Sequence, residues 1–470
     1  MKLHMGLFAG VLTMTLNSIS AQTIDRTKPP ETPPLPAFHL PPLYETKLPN
    51  GLSVVLLQDS RFPLVTVRLA FQAGSRFDPA GSPGLAEAAA SLLTDGTKNR
   101  TSRQIAEEMA SIGGSINAHE SPDSLSISAS SLSEHTRKLL DMVADVARNA
   151  NFPADEVKLY KENRLQHLIE QRSQSEYLAT EKLDEVVFGP NPYGHTNPTP
   201  ESIEKLDIPA LGRFRDTYLV PNNAVLIVLG DLLPRADLLK MLTGQFGDWP
   251  NRAVPAASMP PIPAPRKSLT LVDRPGSVQA DVHVGHLGLT RSSPDYFPLT
   301  VGSTILGGGT SSRLFNDIRE KQGFAYSVYS HHMPLKDAGL FGAGMQVRNE
   351  VMAPALTSML TELGDMAKKP VTATELTDVK NYLSGTFVLR LQTQEGIASQ
   401  LATVKTMGLP IDYLENYTTR VRSVEPDQIQ SAARKIIAPD QSAIVVVGDA
   451  KQIGPALEKF GKVEVVREKK

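Results

Sequence analysis

The chain has 470 residues, of which 41% are hydrophobic and 21% are charged, and its formal net charge is -2 at pH 7. This length is too great for a single hydrophobic core and predicts at least two domains. The balanced charge gives no sign of the basic surface that nucleic-acid binding requires. Cysteine is absent, which excludes disulfides, thiol catalysis and thiolate metal sites.

The N-terminus has the pattern of a secretory signal peptide. Lys2 and His4 precede an apolar run that is too short for a stable membrane anchor, and small residues follow it. We predict a signal peptide over residues 1–21, cleaved near Ser20 or Ala21. The mature chain is therefore expected to be exported, and the bacterial periplasm is the expected location.

A proline-rich stretch follows over residues 22–43. Such a tract favours an extended polyproline conformation and forms no core. We predict a linker here, with an arm that lies on a partner as the alternative.

The first domain is predicted over residues 44–247, as a mixture of strands and helices. Alternating apolar residues predict strands, 3.6-residue periodicity predicts helices, and Thr101-Ser102 is a typical helix N-cap. In chain order we predict strands at 52–58 and 65–71, a helix at 84–95, a helix ending at 112, a hairpin at 115–131, helices at 134–147 and 154–171, and a buried strand at 222–230.

The pattern then repeats after a proline-rich interdomain linker at residues 248–266. The segment 67–76 aligns with 282–291 at an offset of 291 − 76 = 215, and the segment 225–231 aligns with 444–449 at 449 − 231 = 218. Two similar offsets at distant places indicate an internal duplication. We therefore predict an α+β fold with a second domain over 267–470. Each half is expected to have a mainly antiparallel sheet covered by helices on one face.

The helix at 84–95 has the frame Gly-Leu-Ala, eight helical residues and a Gly-Thr stop. This frame resembles the zinc helix of the pitrilysin family of metallopeptidases, to which mitochondrial processing peptidase belongs. There it is Gly-Leu-Ala-His-x-x-Glu-His, in which two histidines hold zinc and the glutamate activates water. The corresponding residues here are Glu87, Ala90 and Ser91. The scaffold of a protease is therefore expected without its metal ligands or general base.

The resemblance extends over nearly the whole mature chain. Its other motifs lie at 192–194, 201–203, 218–223, 273–279 and 306–315. It implies that the two halves face each other as a clamshell around a chamber that admits unfolded peptides.

The resemblance also implies a substrate-binding pair in the second half. Family members have an arginine and a tyrosine seven residues apart, which here are Arg319 and Tyr326. A guanidinium and a phenol near a scissile carbonyl would stabilise the oxyanion formed during hydrolysis. The glycines Gly307, Gly308 and Gly309 are a further expected substrate contact, because in some relatives a glycine loop touches the substrate. On residue type alone, the favoured interpretation is that Arg319 is a solvated helix residue and Tyr326 a sheet-core aromatic. The surrounding motif favours the functional role instead.

No second metal site is predicted in this chain. Active relatives have a third ligand, a glutamate about eighty residues after the first histidine, and the neighbourhood here is 162–170, with Glu162 and His167. Neither residue restores a set of two histidines and a carboxylate. A site made of Glu87, His119 and Glu120 is imaginable, but its base position, Ala90, would still be empty.

These expectations lead to one leading hypothesis and two alternatives. The first is a non-catalytic subunit of a heteromeric zinc peptidase, inactive by itself and without zinc of its own. Its partner would supply zinc on an intact His-x-x-Glu-His helix, and this chain would present Arg319 and Tyr326 to an extended peptide in trans. The alternatives are a peptide-binding or scaffold protein without a proteolytic partner, and a metallopeptidase with an atypical metal site.

Overall fold

The computed structural model describes residues 38–467. The predicted signal peptide and most of the predicted proline-rich linker lie outside this range. Among the described residues, none of the helices combines the length and apolar character needed to cross a membrane.

The elements predicted for the first half are present in the predicted order, and the structure adds a strand at 43–47 and helices at 175–188, 200–204, 208–218 and 235–246, which were not predicted. The capped helix begins where expected, because the Thr101 side chain accepts from the Gln104 amide and the Gln104 side chain accepts from the Thr101 amide. The elements are β1 (Leu43–Lys47), β2 (Ser53–Gln58), β3 (Leu64–Phe71), α1 (Leu85–Leu92), α2 (Ser102–Ser111), β4 (Ser115–Glu120), β5 (Leu125–Leu132), α3 (Thr136–Asn149), α4 (Ala154–Ser173), α5 (Ser175–Phe188), α6 (Pro200–Glu204), α7 (Ile208–Tyr218), β6 (Ala224–Gly230) and α8 (Arg235–Phe246).

The second half repeats the order from β2 to α8 with a π-helix in place of α2, and its additional strand lies at the C-terminal end instead of the N-terminal end. Strand β8 begins 279 − 64 = 215 residues after β3, which is the offset found in the sequence. The elements are β7 (Ser268–Asp273), β8 (Gln279–Leu287), α9 (Tyr296–Gly307), the π-helix (Phe315–Lys321), β9 (Ala325–Pro334), β10 (Gly339–Arg348), α10 (Met352–Lys368), α11 (Ala373–Arg390), α12 (Gln394–Met407), α13 (Tyr413–Arg422), α14 (Pro426–Ile436), β11 (Ala443–Gly448), α15 (Ala450–Leu457) and β12 (Glu464–Arg467).

Each half contains one six-stranded sheet. The strand orders are β1-β2-β6-β3-β5-β4 and β12-β7-β11-β8-β10-β9. The β2–β6, β7–β11 and β7–β12 pairs are parallel, and the others are antiparallel. The predicted fold class, two mainly antiparallel α+β halves, is confirmed. Strands β4 and β9 are equivalent in the duplication, and each forms an edge of its sheet.

The halves are joined by an exchange of equivalent helices. Helix α5 of the first half packs on β8 and β11 of the second sheet, and α12 of the second half packs on β3 and β6 of the first sheet. Gly285 makes the α5 contact possible, because a Cβ there would lie 2.7 Å from Leu183 Cδ2. Each sheet therefore has its own helices on one face and a helix from the other half on the opposite face.

A buried ion network fastens the two hairpin tips to each other. Arg76 forms ion pairs with Asp123, in the β4–β5 turn, and with Asp337, in the β9–β10 turn. Asp123 also accepts hydrogen bonds from the Tyr193 hydroxyl at 2.5 Å and from the Lys336 amide at 2.9 Å. Since Arg76 and Asp123 are each 7% exposed, this network has little competition from water.

Replacing Arg76 by methionine should lower the free energy of unfolding by about 3 kcal/mol, because it leaves the buried Asp123 carboxylate without a cation. Urea denaturation followed by circular dichroism measures this change. Arg103→Met is the matched control, since the Arg103–Glu107 pair is largely exposed and should cost at most about 0.5 kcal/mol. Equal costs for the two variants would contradict a role for Arg76 in fastening the halves.

Candidate functional site

Helix α1 is capped by a half-buried aspartate at its N-terminus. The Asp78 carboxyl accepts hydrogen bonds from the amides of Gly84 and Ala86, both at 2.8 Å. Gly84 has φ of +90°, a conformation that favours glycine. Burial raises the pKa of Asp78 to about 8, although the two amide hydrogen bonds act in the opposite direction. Both carboxyl oxygens are therefore engaged in capping the first turn of α1.

The three positions that correspond to the zinc motif lie in different environments on α1. Ala90 is 3% exposed and belongs to the core of the first half. Ser91 is exposed, and Glu87 is partly exposed, with 35% of its side-chain surface accessible. Glu87 and Ser91 are one helical turn apart and so share a face of the helix.

Glu87 is paired with an arginine from α4. Arg164 Nε lies 2.7 Å from Glu87 Oε1, and Arg164 Nη2 lies 3.3 Å from Glu87 Oε2. A third bond joins Arg164 Nη1 to Gln171 Oε1 at 2.9 Å. Only 10% of the Arg164 side chain is exposed. Its guanidinium engages both carboxylate oxygens of Glu87 in the forked geometry that makes such pairs strong.

Zinc does not fit the residues at this site. A zinc centre needs three or four nitrogen, oxygen or sulfur ligands around a shared point. Ala90 offers none, and both oxygens of Glu87 are bound by a fixed cation that would repel a metal ion. Arg164 lies 77 residues after Glu87, near the spacing of the family's third ligand. The positive charge on this face of α1 is thus supplied by a side chain.

The other candidate zinc ligands do not come together around a shared point either. His119 is exposed and neighbours Glu120 on β4, so the two side chains point to opposite faces of the sheet. Glu120 accepts from the Ser75 amide at 2.6 Å, while Glu162 and His167 lie on exposed positions of α4. Within residues 38–467, no group of three or more histidine, aspartate or glutamate side chains has a geometry that could hold a metal ion.

Arg319 and Tyr326 lie in direct contact in the second half. Arg319 Nη1 donates to the Tyr326 carbonyl oxygen at 2.7 Å, and the guanidinium lies 4.8 Å from the centre of the Tyr326 ring. On its other side the guanidinium lies 4.6 Å from the Phe315 ring. The π-helix presents Arg319 to the start of β9, and such helices are often found at functional sites.

A β-bulge exposes Tyr326 at the edge of the second sheet. Val347 pairs with Ala325 and Met345 pairs with Val328, so that two residues of β9 stand opposite one residue of β10. The bulge interrupts the alternation of faces, and both Tyr326 and its neighbour Ser327 are exposed. Tyr326 has 83% of its surface accessible, so it is not a core aromatic.

The three predicted glycines differ in their surroundings. Gly307 is buried, and a Cβ there would lie 2.1 Å from the Ser330 amide nitrogen. Its small size therefore lets the end of α9 pack closely against β9. Gly308 and Gly309 are exposed, and Gly309 has open space around its Cβ position. Substrate contact remains a prediction for these two residues.

The structure brings together some predicted residues and adds one that the sequence interpretation missed. Arg319 and Tyr326 meet, whereas no hydrogen bond or ion pair among the described residues links them to the Glu87 site. Zinc ligands are typically carboxylates and histidines, and these residue types in the segment 162–170 do not point to Arg164. Its spacing from Glu87 is the signal that could have identified it.

Two family models match the chain. Residues 53–201 match the model described as insulinase (peptidase family M16), and residues 205–383 match the model described as peptidase M16 inactive domain. An uncharacterized zinc protease of Bacillus subtilis is 24% identical over 399 residues, which are 84% of this chain and 96% of the relative. A probable mitochondrial-processing peptidase subunit beta of Arabidopsis thaliana is 23% identical over 427 residues, which are 88% of this chain and 80% of the relative.

Solved structures have the same fold. The crystal structure of a peptidase M16 inactive domain from Pseudomonas fluorescens superposes with a TM-score of 0.81 at 27% identity, covering 87% of this chain and 98% of that chain. A protease from Helicobacter pylori superposes with a TM-score of 0.80 at 21% identity, covering 87% of this chain and all of that chain. The predicted resemblance to this type of peptidase is therefore confirmed.

The Glu87–Arg164 pair should contribute measurably to stability. We expect Arg164→Met to cost about 2 kcal/mol, because it leaves a partly buried carboxylate unpaired. A double-mutant cycle with Glu87→Gln should give a coupling energy of about 1–2 kcal/mol by urea denaturation. The same cycle on the exposed Arg103–Glu107 pair serves as the control, with a coupling of roughly 0.3–0.5 kcal/mol. Strictly additive costs at Glu87 and Arg164 would show that the pair is not coupled.

Rebuilding the zinc helix should fail while Arg164 is present. The triple variant Glu87→His, Ala90→Glu and Ser91→His recreates the motif, but the guanidinium stays beside it and should keep zinc content far below one equivalent. Adding Arg164→Glu supplies a third ligand and should raise the content to about one zinc per chain, measured by mass spectrometry of the dialysed protein. Stoichiometric zinc in the triple variant alone would refute the blocking role of Arg164.

Proposed function

The chain belongs to peptidase family M16, and from this premise we propose that it is a non-catalytic subunit of a heteromeric zinc peptidase. In this proposal a partner subunit supplies the intact His-x-x-Glu-His helix with its zinc, which polarises the scissile carbonyl and activates water. This chain supplies a peptide-binding surface together with Arg319 and Tyr326.

The proposal depends on one contrast between the two halves. The first half has an arginine near the spacing at which a metal-binding relative has a ligand, and its pairing with Glu87 is well formed. The second half has Arg319 and Tyr326 in contact and accessible at an edge strand. The first half lacks the zinc ligands on α1, and the second half has an accessible arginine–tyrosine pair. This combination supports a subunit that binds the substrate without performing the hydrolysis.

The edge strands support binding of an extended peptide. Both β4 and β9 have a free hydrogen-bonding edge in the described chain, and such an edge can pair with an added strand. Main-chain pairing binds extended peptides with little regard to their sequence, while neighbouring side chains provide selectivity. This arrangement suits unfolded segments better than folded proteins.

Arg319 retains the donors that its proposed role needs. One N–H of Nη1 is used by the Tyr326 carbonyl oxygen, and Nε lies 3.6 Å from Glu320 Oε1. A guanidinium has five N–H donors, so others remain for a developing oxyanion. The hydroxyl at the tip of the exposed Tyr326 ring supplies a second donor.

The partner can be sought by affinity purification of the tagged chain from the native periplasm under mild conditions. Recovery of a roughly stoichiometric second chain that carries His-x-x-Glu-His is the expected outcome, because Glu87, Ala90 and Ser91 of this chain do not form the zinc helix that hydrolysis would require. Recovery of the chain alone, with no activity on unfolded peptides, would contradict the proposal and favour the peptide-binding scaffold.

In the reconstituted pair, Arg319→Ala should lower kcat by roughly 10²- to 10³-fold, and Tyr326→Phe should lower it by a similar or smaller factor, because each removes an oxyanion donor. KM should change less than kcat if these donors act mainly in the transition state. Tyr382→Phe is the matched control, since Tyr382 is also exposed, at 55%, but lies on α11. Full activity of Arg319→Ala would contradict the role of Arg319 in trans.

A further inference from the structure

A cavity of about 430 Å³ lies in the second half between the loop after β8, α9 and the start of α13 and α14. Its lining includes Arg291, Ser293, Phe297, Tyr413, Arg420 and Gln428. The remaining lining residues are small, apolar or hydroxylic, and none of them is an aspartate or glutamate. A cavity with two cations and no anion in its wall has an unbalanced charge.

Arg291 is a partly buried cation without a carboxylate partner. Its guanidinium lies 5.9 Å from the centre of the Tyr296 ring, and its Nε is buried without a hydrogen-bond partner among the described atoms. Burial raises the pKa of Tyr413 and Tyr417, which both lie in the field of Arg291. These phenols therefore stay neutral at physiological pH and cannot balance its charge.

The duplication provides an internal comparison for Arg291. The equivalent residue in the first half is Arg76, at the offset 291 − 76 = 215. Arg76 is paired with two carboxylates, Asp123 and Asp337. Burying a cation without a counter-charge is costly, and in the first half the fold itself provides that charge. In the second half no ion pair involving Arg291 is found in residues 38–467.

Arg420 adds a second free cation at the mouth of the same cavity. It lies 5.9 Å from the Phe297 ring centre and 5.8 Å from that of Tyr413, and no ion pair involving it is found in residues 38–467. Two acids of this region have other partners, since Asp295 pairs with Lys435 at 2.6 Å and Asp412 accepts from Asn416 at 3.0 Å. Neither carboxylate lines the cavity.

We propose that this cavity binds a small aromatic oxyanion, such as a phosphate or carboxylate group on a single ring. Arg291 and Arg420 would bind the oxyanion by charge-assisted hydrogen bonds. The Phe297 ring would cover the aromatic part, and Ser293 and Gln428 would contribute further polar contacts. A volume of about 430 Å³ lies within the usual range for small-molecule sites. The site is independent of the proposed peptidase partnership and lies on different elements from the Arg319–Tyr326 pair.

The proposal is tested by titrating the full chain with phenyl phosphate in low-salt buffer by isothermal titration calorimetry. We expect saturable binding at one site, with inorganic phosphate binding more weakly because it leaves the aromatic wall uncovered. Arg291→Gln and Arg420→Gln should each weaken the binding by roughly ten- to a hundredfold, the usual effect of losing a hydrogen bond to a charged group.

Arg422→Gln is the matched control, because it removes the same charge from α13 at an exposed residue that does not line the cavity. It should leave the affinity for phenyl phosphate unchanged. Circular dichroism spectra of all three variants verify their folding. The proposal is overturned if phenyl phosphate shows no saturable binding up to millimolar concentrations. It is also overturned if Arg422→Gln weakens binding as much as Arg291→Gln, or if inorganic phosphate binds as tightly as phenyl phosphate.

Discussion

The exchange of α5 and α12 between the halves is the constraint on which the rest of this structure depends. Helix α5 covers one face of the second sheet, and α12 covers one face of the first sheet. Neither sheet would therefore have two buried faces without the other half. The Arg76 network then fastens the β4–β5 and β9–β10 turns to each other. Together these contacts fix the relation between the edge strands β4 and β9, where peptide binding is proposed.

Within that frame, α1 illustrates how a metal site can be replaced without loss of the fold. A metal centre holds several polar ligands near a protein core, and its removal would leave them without a partner. Here the buried position is an alanine, and the one remaining carboxylate has a guanidinium as its cation. The charge balance of the site is thereby met by two side chains.

The duplicated halves have diverged in how they treat equivalent positions. The Arg76 guanidinium forms ion pairs with two carboxylates of this chain. No ion pair involving its counterpart Arg291 is found in residues 38–467. Edge strand β9 has a bulge that exposes Tyr326, whereas β4 pairs with β5 without a register shift. Since the backbone framework is shared, these differences arise from side chains and single-residue insertions.

The sequence by itself determined several strands and helices of the first half, the duplication, the family resemblance and the missing zinc motif, because periodicity, capping residues and motif spacing are local properties. The strand ends at Gln58, Phe71 and Gly230 and the N-cap at Thr101 were all predictable in this way. Only the tertiary structure decided that Arg164 pairs with Glu87 across 77 residues and that α5 and α12 each pack on the sheet of the other half. It also decided that Arg291 has no carboxylate partner within residues 38–467. Ion pairs and helix packing depend on which distant segments become neighbours, and no local pattern in the chain specifies that.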